Sequence, residues 1–102
     1  MIELNNDNHQ EMKEGLVLVE FWSPAWVHCK ELTPLVEELE KEYSNKIKFY
    51  SLNAKAQRRF AIGQGIKGLP NVSIYKDGKV VDSIIGLDVT KENVEEIIKK
   101  HI

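Results

Sequence analysis

Residues Leu16 to Trp22 read LVLVEFW, a run that is apolar at every position but one and rich in strand formers. Successive side chains of a strand point to opposite faces, so a run without polar alternation needs cover on both sides. That demand puts this segment at the centre of a sheet with helices above and below it, the architecture of an α/β domain. The chain has 102 residues, which is enough for one domain over 1–102 and too few for two. A hydrophobic share of 42% with 29% charged residues suits a packed core rather than a disordered segment.

The flanking segments supply the other layers. Met1 to Leu4 reads as a short edge strand. Asn5, Asn6 and Asp7 are helix-capping residues, and they predict a helix through about Glu14 that ends at Gly15. After a turn at Ser23 and Pro24, a helix is expected from near Trp26 to about Tyr43. Leu32, Leu35, Val36, Leu39 and Tyr43 form its inner face, and Pro34 predicts a kink near residue 30. Ile47 to Leu52 alternates as a second long strand, and Ala54 to about Gln64 reads as a helix closed by Gly65. Val72 to Tyr75 and Val80 to Ile85 form a hairpin across Asp77-Gly78, a dipeptide that tolerates positive φ. Thr90 caps a last helix with Val94, Ile97, Ile98 and Ile102 facing inward. The order β-α-β-α-β-α-β-β-α predicts a mixed sheet of four to five strands flanked by four helices.

Several function classes are disfavoured at once. With 14 basic and 16 acidic side chains the formal net charge is −2, so no electrostatic case exists for nucleic-acid or anionic-membrane binding. Cys29 is the single cysteine, which excludes an intrachain disulfide and a Cys-rich zinc site, and no metal site is expected. Leu16 to Val19 is far too short to cross a bilayer and lacks the flanks of a signal peptide, so the cytoplasm is the expected compartment.

Two segments carry the chemistry. One is Phe21-Trp22-Ser23-Pro24-Ala25-Trp26-Val27-His28-Cys29-Lys30, which leaves the apolar strand and enters the long helix; the other is Gly68-Leu69-Pro70, just before the strand ending at Tyr75. Together with Val19-Glu20-Phe21-Trp22, Pro34, Gly65-Ile66-Lys67, Lys76-Asp77-Gly78 and Gly86, in this order and spacing, they resemble the thioredoxin family over nearly the whole chain. The resemblance implies the thioredoxin fold. It also implies a Cys-x-x-Cys pair at the start of the long helix, where the helix dipole favours thiolate. The first cysteine attacks a substrate disulfide, and the second resolves the mixed disulfide.

Here the resolving position is Cys29 and the attacking position is Trp26. An indole offers one N–H donor and no nucleophilic or leaving atom for disulfide exchange. The resemblance therefore implies a thiol–disulfide redox protein with an altered site, inactive as a protein-disulfide reductase. Three origins of Trp26 stay open: a natural redox-dead relative, a deliberate substitution, and a UGA selenocysteine codon rendered as tryptophan. The alternative function is a redox-inactive peptide-binding module using the groove beside Pro70, and a purely structural domain is a third reading.

The supporting residues follow from the same match. Glu20 interrupts the apolar run where the family carries a buried acid, usually Asp, that moves the proton of the second cysteine; an edge or water-linked Glu without a role is the plainer alternative. Pro70 matches the family's cis-proline, whose preceding backbone pairs with an extended substrate, which makes Leu69 a binding candidate. Trp26 either presents an apolar rim with Leu69 and Pro70 or folds back over the site. Cys29 is either a resolving thiol or a buried inert one. His28 is either a group that tunes the Cys29 thiol or a solvent-exposed histidine, and Lys30 completes the motif as a site residue. Trp22 is read as scaffold, His9 and His101 as surface residues. Lys55, Arg58 and Arg59 form a basic cluster, read as a solvated face or a guide for an acidic partner. The expected partners are protein or peptide substrates and a thioredoxin-reductase-like donor, with no cofactor and a monomeric state.

Overall fold

In the computed structural model, which describes residues 1–102, the LVLVEFW run is strand β2 (Leu16–Trp22) and occupies the middle of a five-stranded sheet. The other strands are β1 (Ile2–Glu3), β3 (Lys48–Asn53), β4 (Asn71–Lys76) and β5 (Lys79–Ile85), in the spatial order β1-β3-β2-β4-β5. β2 runs parallel to β3 and antiparallel to β4, and residues Val17 to Phe21 are all buried. The helices are α1 (Val27–Tyr43), α2 (Arg58–Gly63) and α3 (Lys91–His101).

The pleat sorts β2 between two cores. Leu18, with Val72 and Ile74 of β4, packs with Leu32, Val36 and Leu39 of α1 and Val94, Ile97 and Ile98 of α3. Val17, Val19 and Phe21 face the other way, onto Leu4, Met12, Leu52 and Ala61. Glu20 shares the pleat side of Leu18, so its carboxyl is turned to the α1 layer.

Three α-helices form rather than four. The expected helix over residues 5–14 is only a 3-10 segment, His9–Lys13, and Met12 is its one buried residue. Asparagine side chains fold the backbone locally instead: Asn5 N donates to Asn8 Oδ1 at 2.7 Å, and Asp7 N donates to Oδ1 of Asn5, one of the expected caps, at 2.8 Å. Such turns compete with helix wherever no long apolar face rewards the helix. The helix expected from Ala54 shortens for a related reason. Asn53 Oδ1 accepts from Lys55 N at 3.0 Å and Ala56 N at 3.1 Å, holding the next residues in turns until α2 begins at Arg58.

α1 starts one residue later than expected and runs as a single helix with Pro34 on its exposed side. Leu35 and Ile102, expected on inner faces, are 37% and 44% exposed; Leu35 sits at the margin of the α1 stripe, and Ile102 follows the last helical residue. The α3 cap is as expected, with Thr90 Oγ1 accepting from Asn93 N at 3.1 Å. The β4–β5 turn has φ 50 at Asp77 and φ 86 at Gly78, the paired positive values of a tight hairpin. No helix is long and apolar enough to cross a membrane.

Candidate functional site

The site is built where β2 hands over to α1. Ser23 is buried and organises the turn: its Oγ accepts from Ala25 N at 3.2 Å and its carbonyl accepts from Trp26 N at 3.2 Å. Trp26 is the last extended residue before the helix, and its carbonyl accepts from Cys29 N at 3.1 Å. An indole has no acceptor with which to cap the helix. It projects outward instead, 55% exposed, and does not fold back over the site.

Cys29 lies in the first turn of α1 and is 1% exposed. Burial pushes its thiol above the ordinary range. The backbone of Ser23 pulls the other way, and the Glu20 carboxylate adds to the rise.

Glu20 is fully buried, and its pKa is raised from 4.5 to about 7. Burial is the main cause, the Thr33 hydrogen bond opposes it, Glu37 adds to it, and the N-terminal amine works against it. Thr33 Oγ1 donates to Glu20 Oε2 at 3.0 Å, while Glu20 Oε1 has no hydrogen-bond partner. The same hydroxyl lies 3.1 Å from the carbonyl of Cys29. One hydroxyl has one proton to give. When Glu20 is ionised, that proton belongs to the carboxylate; when Glu20 is protonated, the acid can donate to Thr33, and Thr33 to Cys29. A groove of about 330 Å³ opens over the acid, lined by Trp22, Lys30, Thr33, Pro34 and Ser51 with Glu3. Lys30 is exposed on its rim.

A second groove, of about 310 Å³, lies beside Trp26. Ala61, Ile62, Ile66, Gly68 and Leu69 line it with the indole, and Arg58 and Lys67 are its charged members. Leu69 is half-buried, the Leu69-Pro70 peptide bond is cis, and the buried Pro70 accepts from Gly86 N through its carbonyl at 2.8 Å.

The chain thus brings Glu20 to Lys30 in one groove and Trp26 to Leu69 in the other. Cys29 touches the first set through Thr33 and lines neither groove. His28 joins neither set and is not solvent-exposed: it is half-buried beside Leu32, Val89 and Thr90, where α1 meets the start of α3. His9 and His101 are also half-buried, each partly exposed at the surface and held by a neighbour. His9 stacks on Phe60 with ring centroids 3.7 Å apart, and His101 lies 3.1 Å from Asp82. Sequence reasoning missed Thr33. Its signal was the i,i+4 spacing from Cys29, which stacks the two on one helix face.

A family model described as Thioredoxin matches residues 1–100. A thioredoxin of Acetoanaerobium sticklandii is 40% identical over 105 residues, covering 100% of both chains. A thioredoxin of Peptoclostridium acidaminophilum is 40% identical over 105 residues, covering 100% of this chain and 96% of its own. Among solved structures, the Malassezia sympodialis thioredoxin Mala s 13 superposes with a TM-score of 0.87 at 22% identity, over 99% of this chain and 90% of that one. This last likeness establishes the fold.

Proposed function

The chain belongs to the thioredoxin family of redox proteins, and we propose that it is a member with an altered active site, in which Trp26 fills the attacking position and removes dithiol reductase activity. The observation that carries this reading is the placement of an exposed indole at the entrance of α1, three residues before a buried lone thiol. Disulfide exchange needs a thiolate to attack and a second to resolve. The chain holds only the resolving candidate, Cys29.

The surrounding residues keep roles suited to that exchange. With a sulfur or selenium nucleophile at position 26, its attack on a substrate disulfide would give a mixed disulfide and release one substrate thiolate. Glu20, poised at about 7, would take the proton of Cys29. The Cys29 thiolate would then attack the mixed bond and expel the second substrate thiolate, leaving the 26–29 bridge oxidised and the substrate reduced by two electrons. Lys30 stands on the rim of the groove leading to Glu20. His28, turned toward α3, is given no part in this cycle.

The second reading, a redox-inactive peptide-binding module, draws on the exposed Trp26 and its shared groove with Leu69. An extended peptide would lie along Leu69 and Pro70, as an added strand does at a sheet edge. In both readings the partners are proteins or peptides. A monomer over 1–102, fed by a thioredoxin-reductase-like donor where a nucleophile is present, completes the proposal. A reducing compartment, the cytoplasm, suits a chain whose one thiol is free.

Insulin disulfide reduction driven by dithiothreitol tests the proposal. This chain should add nothing to the reagent's own rate, and turnover above that background would overturn the reading. Codon 26 decides the origin of the tryptophan: UGG removes the selenocysteine reading, and UGA supports it.

A further inference from the structure

The groove between Trp26 and Leu69 is chemically one-sided. Its apolar lining, including Ile62 at 61% exposure, is bordered by Arg58 on α2 and Lys67 on the loop before Pro70. These two are its only charged lining residues. Both are exposed, and neither forms an ion pair. The imbalance extends beyond the groove. From Tyr43 to Lys76 the chain has no Asp or Glu, while Lys55, Arg58, Arg59 and Lys67 fall within it, although the protein as a whole carries −2. Its acids therefore lie elsewhere in the chain, and the groove faces solvent with positive charge that no internal partner neutralises.

We propose that this groove selects extended peptide segments in which an apolar side chain is flanked by Asp or Glu. The apolar residue fills the space between Trp26, Ile62 and Leu69, and its acidic neighbours meet Arg58 and Lys67. The proposal rests on the reading of this groove as the peptide site and adds its substrate class. Exposed ion pairs are individually weak, and two of them acting together give a preference of about tenfold at low salt. Screening should erase most of it, because the Debye length falls to about 3 Å at 1 M salt. Charge on a groove rim acts chiefly on encounter and selectivity and leaves the apolar contact intact.

The test uses two cysteine-free fluorescent peptides with the same apolar centre, one flanked by glutamates and one by lysines, titrated against the full chain by anisotropy. The glutamate peptide should bind about tenfold more tightly at low salt, and the two affinities should converge at high salt. The double variant Arg58→Glu/Lys67→Glu should reverse the order, and Arg58→Gln/Lys67→Gln should abolish the difference; circular dichroism checks that both are folded. Equal binding of the two peptides, unchanged in the variants, overturns the charge selectivity and leaves the groove as a peptide site. Binding of neither peptide overturns the groove reading itself and this proposal with it.

Discussion

Replacing Glu20 with Gln should make the protein more stable above neutral pH and change little in acid. The native acid titrates at about 7, against 4.5 when free of the fold. In the unfolded chain the carboxyl releases its proton first; in the native protein burial holds the proton on until near neutrality. Between these values the unfolded state is the more ionised one, so stability falls as pH rises through the window. Below 4.5 both states are protonated, and the burial cost of the charge is absent. Above 7 the cost is fully present, and the gap corresponds to about 3 kcal/mol. Glutamine keeps the shape and can still pair with Thr33, so the other titrating groups cancel in the comparison. Urea unfolding followed by circular dichroism, at steps from acid to mildly alkaline pH, gives the difference between Glu20→Gln and the parent. It should be near zero slope in acid, climb between 4.5 and 7, and level off about 3 kcal/mol higher. A difference independent of pH would refute the assignment of a buried, proton-holding Glu20.

Three further outcomes are expected. Thr33→Val removes the one donor to Glu20 Oε2, so the NMR titration midpoint of the Glu20 carboxyl should move upward and stability above pH 7 should drop by about 1–3 kcal/mol, with Thr33→Ser close to the parent; an unmoved midpoint would refute the link. The Cys29 thiol is buried and held protonated, so its reaction with an aromatic disulfide reagent at neutral pH should be about a hundredfold slower in the native protein than in denaturant; equal rates would contradict its burial. Thr90→Ala deletes the α3 cap and should cost about 1 kcal/mol, lowering Tm by roughly 4–8 °C in a scanning melt.

The parts of the fold that were legible in sequence are those where one physical demand dominates. The apolar β2 run needs two covered faces and obtained them, and the Asp77-Gly78 turn and the Thr90 cap follow from local chemistry alone. The failures lie where side chains compete for the backbone. Asn5, Asn8 and Asn53 close turns where a helix was expected, because their amides reach nearby N–H groups at no cost in burial. At the site, Glu20 stood out as the lone polar residue in a buried run. Thr33 did not, since a threonine on an amphipathic helix announces nothing until the partner facing it is known. The half-burial of His28 depends on how α3 approaches α1, a long-range contact that spacing within one helix does not encode.

In the proposed reading one side chain, Trp26, stands between this chain and dithiol reductase activity, and Trp26→Cys tests that directly. The folded variant, reduced and supplied with dithiothreitol, should precipitate insulin above the reagent's own rate, and on oxidation it should bridge the new thiol to Cys29. A variant that folds like the parent yet shows neither the bridge nor the turnover would contradict the claim that the rest of the redox site is in place.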